Sequence, residues 1–230
     1  MKTIGLIGGM SWESSAHYYR LINEETHQHL GGHHNAPSVM VTVDFAEIEQ
    51  RQHAGDWDRL GGLLAAAASQ VEAGGADFLV LCTNTMHKLA GAITDAVAIP
   101  LLHIVDVTAQ AILLAGHRRV GLLGTRFTME EPFYADRMRD RFGLEVLIPS
   151  ERSRETVHEV IYGELCHGVV RPESAARYRG IIAELGTRGA EGVILGCTEI
   201  GMLINEESSA LPVYDSTILH ARAAVAYALE

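Results

Sequence analysis

Lysine is nearly absent from this chain of 230 residues, with Lys2 and Lys88 its only examples. A pyridoxal-phosphate enzyme needs a lysine amine for its Schiff base. Lys2 falls at the start of the first apolar run, so such chemistry is disfavoured and rests on Lys88 alone. Basic residues are scarce altogether, 18 against 29 acidic ones for a net charge of −11, which removes the electrostatic footprint that nucleic-acid binding requires. No apolar run reaches the length of a membrane span, and MKTIGLIGGMSWESS has one lysine, a glycine-broken apolar segment and no small-residue cleavage pattern. The expectation is a cytoplasmic protein with no membrane partner. Three scattered cysteines, Cys82, Cys166 and Cys197, are too few for a disulfide framework and read as free thiols. His27, His29, His33 and His34 gather at a helix end and a glycine-rich loop without carboxylates at ligand spacing, so they read as solvated and no metal is expected.

What the chain does have is alternation. Short apolar runs such as KTIGLIGG, DFLVLCTNT, RRVGLLGT and EGVILGCTE are separated by longer amphipathic stretches, the pattern of buried parallel strands linked by helices. The fold class is α/β. Two ungapped matches recur: IGLIGGM with VGLLGTR, offset by 116 residues, and GADFLVLCTNT with GAEGVILGCTE, offset by 114. Half the chain thus repeats the other half. Two pseudo-symmetric lobes are expected, each a parallel sheet flanked by helices, with the active site in the cleft between them. The first comprises residues 1–99 with 208–230, its C-terminal helix returning, and the second residues 100–207.

Ligands of open parallel sheets bind beyond the carboxyl ends of strands. The second match sets Thr83, not Cys82, against Cys197, and because successive strand residues point to opposite faces, Cys82 should turn away from whatever Thr83 faces. Two groups facing one another across a pseudo-symmetric cleft suit racemisation, in which one removes the α-proton and the other returns a proton from the opposite side. Cys197 becomes a suitable base if a helix N-terminus behind it lowers its pKa. Asn84, Thr85 and Thr198 are candidate donors to the charge that develops on a substrate carboxylate.

At these residues the sequence resembles the cofactor-independent aspartate/glutamate racemase family, in its broad-specificity amino-acid racemase branch. LVLCTNTMHK is similar to that family's first signature and VILGCTEIGML to its second, and the likeness runs from IGLIGGMSWES to the end of the chain. The resemblance implies two α/β lobes, no cofactor, a small amino-acid substrate of acidic type, L-aspartate or L-glutamate, and a homodimer. It also implies that Cys197 deprotonates the L enantiomer, that Met10 and Gln52 line the substrate, and that Glu199 belongs to the site. One position departs: the family places cysteine directly before the asparagine, where this chain has Thr83. A hydroxyl is a poor base, so activity from D substrates is expected to be weak or absent. Cys82 is held as the alternative thiol.

Several residues have a plainer reading. Arg51 fits a solvated helix face, Arg126 a surface ion pair and Cys166 a small buried side chain. Two other functions remain open at this level. A thiol hydrolase or amidase would use Cys197 with His220 or His87 as its base. A binding protein would keep the cleft without catalysis.

Overall fold

The computed structural model describes residues Met1–Glu230. It contains two four-stranded, wholly parallel sheets. In the first, β1 (Ile4–Gly8), β2 (Ser38–Thr42), β3 (Phe78–Leu81) and β4 (Leu101–Leu102) lie in the order β2-β1-β3-β4. In the second, β5 (Arg119–Gly124), β6 (Glu145–Leu147), β7 (Gly192–Gly196) and β8 (Val213–Asp215) lie in the order β6-β5-β7-β8. Strand for strand, the two orders are the same.

The helices are α1 (Trp12–Leu30), α2 (Phe45–Ala54), α3 (Trp57–Ala73), α4 (Ala90–Thr94) and α5 (Ile104–Leu114), then α6 (Arg126–Glu130), α7 (Pro132–Phe142), α8 (Glu151–Gly163), α9 (Pro172–Thr187) and α10 (Ser216–Leu229). Both faces of the first sheet are covered, which is why its strands read as continuous apolar runs. Leu79 and Leu81 point into a cluster with Ile48 of α2 and Leu60, Leu64, Ala67 and Val71 of α3. Phe78, Val80 and Cys82 point into the opposite cluster, with Tyr18 and Ile22 of α1 and Ala221, Ala224 and Val225 of α10. Lys2 N–H donates to Ala228 O at 2.8 Å, fastening the end of α10 beside β1.

The chain divides into two compact units, residues Met1–Ile104 with His220–Glu230, and Val105–Leu219. The expected boundaries of 99/100 and 207/208 fall before these. Leu101–Leu102 pairs with β3 and so belongs to the first sheet, while Val213–Asp215 pairs with β7 and belongs to the second. Pro100 does not end the first sheet, because a strand's opening residue needs only its carbonyl there: Pro100 O accepts from Leu79 N–H at 2.8 Å. Pro212 does the same in the second sheet, accepting from Val193 N–H at 2.8 Å.

Candidate active site

The first strand end is assembled by serines. After β1, Gly9 takes a positive φ of 92°. A Cβ there would land on the backbone of Val43, so only glycine lets the turn pass. Ser11 caps α1 by accepting from Ser14 N–H at 3.2 Å. Gly9 N–H donates to Ser15 Oγ at 2.8 Å, and Ser14 Oγ donates to Cys82 O at 3.1 Å, tying this turn to the end of β3. Met10 lies in the same apolar cluster as Met86, and Gln52 of α2 sends Nε2 to Met86 Sδ at 3.0 Å. Met10, Gln52 and the turn after β3 are therefore neighbours, as the sequence brought them together only by resemblance.

Beyond β3 the chain leaves the ladder. Cys82 N–H still donates to Ile7 O at 2.9 Å, but Thr83 N–H turns back to Leu81 O at 2.8 Å, and a 3₁₀ turn covers Thr85–Leu89. Thr83, Asn84 and Thr85 are all buried polar residues. Cys82 is completely enclosed in its apolar cluster, and burial alone pushes its thiol pKa far above the ordinary range.

The second strand end is built differently. Gly124 and Gly196 pair across β5 and β7, and a Cβ on Gly196 would come within 2.9 Å of Leu122 Cδ1 and 3.0 Å of Leu123 O. Cys197 comes directly after, partly exposed, with Sγ donating to Glu199 Oε2 at 3.0 Å. Thr198 Oγ1 donates to the same carboxylate oxygen at 2.9 Å, and Glu199 is itself buried. Both threonine and thiol thus converge on one acceptor.

Registry makes the two ends comparable. Ile7 pairs with Leu81 and Leu123 with Leu195, so Cys82 corresponds to Gly196 and Thr83 to Cys197.

The expected lowering of the Cys197 pKa is overturned. Burial pushes it up, and the charge on Glu199 and the neighbouring Cys166 push in the same direction. Behind the cysteine stands a five-residue 3₁₀ turn, Thr198–Met202, too short to supply a substantial helix dipole. The resting group is a thiol hydrogen-bonded to a carboxylate. Sequence reasoning also missed the surroundings of Cys197. Tyr178 of α9 is raised by burial and then by Cys197, Glu164 and Cys166, while its hydroxyl donates to Val157 O at 2.9 Å. Cys166 is partly exposed on a short 3₁₀ turn, Leu165–His167, and nothing in its local sequence points toward Cys197.

With this geometry in place, comparison with known proteins is decisive. The family described as Asp/Glu/Hydantoin racemase matches residues 7–224. The chain belongs to that family. A candidate Asp/Glu racemase from Yersinia pestis is 48% identical over the whole of both chains, with a TM-score of 0.94. An aspartate racemase homologue from Pyrococcus horikoshii OT3 is 32% identical, again over the whole of both chains, with a TM-score of 0.87. The broad-specificity amino-acid racemase RacX of Bacillus subtilis (strain 168) is 26% identical over 174 residues, covering 74% of this chain and 73% of that protein. Membership places the protein among the isomerases.

The other candidates from the sequence are engaged elsewhere. His220 has both ring nitrogens occupied, Nδ1 with Tyr18 Oη at 3.0 Å and Nε2 with Leu102 O at 2.8 Å, and burial lowers its pKa to about 4. His87 is equally committed, through Thr83 O and Ile104 N–H. A thiol hydrolase would need a histidine on Cys197, whose sulfur instead donates to Glu199. Lys88 places Nζ 3.6 Å over the ring of Trp57. Arg51 is paired with Glu47 at 2.9 Å and Asp56 at 2.8 Å, and His27, His29, His33 and His34 are exposed. Arg126 is exposed on α6, its backbone N–H donating to His158 Nδ1 at 3.2 Å. No group of histidine, cysteine and carboxylate side chains has the arrangement of a metal site, and no helix is long and apolar enough to cross a membrane.

Proposed function

We propose that the protein racemises an acidic α-amino acid, L-aspartate or L-glutamate, without a cofactor, using Cys197 on one face of the substrate and Thr83 on the other. The observation that carries this reading is the registry of the two strand ends, which gives Thr83 and Cys197 equivalent positions while Cys82 is enclosed in apolar packing. Cys197 removes the α-proton of the L enantiomer. Its own thiol proton passes to Glu199 Oε2, the atom it already touches, so the sulfur reacts as thiolate. Thr83 delivers a proton to the opposite face through its hydroxyl and regains one from solvent. Asn84 and Thr85 are the donors assigned to the substrate carboxylate, with Thr198 joining them when its hydroxyl turns from Glu199 Oε2, and Met10 and Gln52 close the apolar side of the first strand end.

Thermodynamics restricts the form that the expected weakness from D substrates can take. Enantiomers have equal free energy, so kcat/KM must be the same in both directions, and a weak Thr83 step cannot favour one direction at equilibrium. The asymmetry resides in kcat and KM taken separately and in isotope partition. From the L acid, Cys197 exchanges the α-proton with solvent many times before Thr83 completes an inversion. From the D acid, the slow step comes first and each success is captured by Cys197. The test is incubation of the protein without added cofactor in deuterium oxide with L-aspartate or L-glutamate, following α-deuteration by NMR and enantiomers by chiral chromatography. The expected result is both exchange and inversion. Absence of exchange with either acid would contradict the reading.

A further inference from the structure

We propose that His87 is a positioning residue for Thr83, holding the reactive hydroxyl at the correct face by fixing the backbone on which it stands. The inference rests on the assignment of Thr83 to the second face. Thr83 occupies the point where β3 has ended and the 3₁₀ turn has not begun. Its N–H turns back to Leu81 O, and the turn's first backbone bond, His87 N–H to Asn84 O at 3.1 Å, passes the Thr83 carbonyl by. That carbonyl is bound instead by a side chain: His87 Nδ1 donates to Thr83 O at 2.7 Å. The peptide plane joining Thr83 to Asn84 is thereby set by an imidazole.

The imidazole is itself held on every side. Its Nε2 accepts from Ile104 N–H at 3.2 Å, the backbone donor that opens α5. A carbonyl can only accept and an amide N–H can only donate, so the two bonds determine the tautomer: a neutral ring with the proton on Nδ1. The ring packs 4.6 Å from that of His103 and 5.9 Å from that of His220, centroid to centroid. His220 is in turn fixed by Tyr18 and Leu102 O. His87 is 2% exposed, so its ring is enclosed by the protein. A chain of contacts runs from α1 and α10 through His220 and His87 to the backbone of one threonine, with His103 packed against His87. At the corresponding place after β7 the carbonyl of Cys197 accepts from Ile200 N–H at 3.2 Å, a bond of the turn's own backbone, and the sulfur is oriented by Glu199 directly.

Two conservative variants separate the two bonds. Asparagine carries its amide at the distance of Nδ1 and glutamine at that of Nε2, so His87→Asn keeps the donor to Thr83 O and His87→Gln keeps the partner of Ile104 N–H. The readout is the ratio of α-deuterium exchange to inversion, from L-aspartate and L-glutamate in deuterium oxide, with thermal melts recorded alongside. General loss of structure lowers exchange and inversion together, whereas a displaced Thr83 lowers inversion alone. His87→Gln is expected to raise the ratio about tenfold, the effect of moving a reacting group by a fraction of an ångström, and His87→Asn to bring it back to within about twofold of the wild type. Equal ratios in wild type and His87→Gln, or a ratio raised equally in both variants, would overturn the positioning role while leaving the racemase reading intact. No exchange by the wild type would overturn that reading and this inference with it.

Discussion

The carboxyl ends of β3 and β7 stand at equivalent places in two sheets of the same strand order, and they treat sulfur in opposite ways. At β3 the cysteine is the last residue of the alternation that faces α1 and α10, so its side chain joins Tyr18, Val80 and Val225 in the core. At β7 that same position is Gly196, where a Cβ would collide with Leu122 and Leu123, and the cysteine comes one residue later. A shift of one residue along a strand changes the face. The two thiols also have different electrostatic situations. Both are driven toward the neutral form, Cys82 by burial alone, Cys197 by burial and by a carboxylate that can also take its proton. A high pKa is therefore compatible with inertness in one case and with reactivity in the other, depending on whether a proton acceptor stands beside the sulfur.

Exchanging the roles of the two cysteines would break this comparison, and the largest effects are expected there. Cys197→Ala should reduce α-deuteration of the L acids by about a thousandfold or more, the scale of losing a positioned base, as read by NMR. Cys82→Ala should keep turnover within about threefold of wild type and cost about 1–2 kcal/mol in urea denaturation, since only a small buried group is lost. The reverse pattern would return the chemistry to Cys82.

Making the two ends alike is the next step. Thr83→Cys places a thiol at both equivalent positions. Inversion from L-aspartate or L-glutamate should rise by about tenfold to a hundredfold, and exchange should no longer outrun it, because a thiol is the better acid and base near neutral pH. Chiral chromatography beside NMR measures both.

A smaller effect isolates the carboxylate. In Glu199→Gln the negative charge that holds the Cys197 proton is removed, so the pH at which iodoacetamide begins to alkylate Cys197 should move downward, toward that of an ordinary thiol. An upward movement would contradict the assigned role. Because the same change removes the proton acceptor, racemisation should fall although the thiolate is easier to form.

The smallest expected effect concerns the support beneath the first end. His220 has a folded-state pKa lowered from 6.5 to about 4, so acid protonates the unfolded chain first and the stability that this buried ring contributes is lost as pH falls through that interval. Between about pH 7 and pH 4.5, wild type should lose roughly 2 kcal/mol more than His220→Gln in urea denaturation. Equal losses would mean that the ring does not stay neutral when folded.

Much of this was legible in the chain. Continuous apolar runs such as FLVL and GVILG announce strands buried on both faces, and the two internal repeats align Thr83 with Cys197 from the order of residues alone. The limits have physical causes. β4 and β8 are two and three residues long, too short for hydrophobic pattern to say which sheet each one joins, and Pro100 before β4 read as a boundary. The pKa of Cys197 depends on the length of the turn behind it and on a side chain reaching back across two residues, neither of which a local motif encodes. The contact of Tyr18 with His220 joins residues 202 positions apart, and the bond from Ile104 to His87 crosses from one helix to another turn. Such pairs are products of packing, and sequence spacing carries no trace of them.

The most direct test of the unequal ends uses the wild type and both enantiomers. L-aspartate and D-aspartate, then the two glutamates, are incubated separately in deuterium oxide, and the ratio of α-deuterium exchange with retention to inversion is taken from initial rates. A thiol on one face and a hydroxyl on the other predict a large ratio from the L acid and a small one from the D acid, with equal kcat/KM for inversion in the two directions. Equal ratios from both enantiomers would contradict the account and require two equivalent bases.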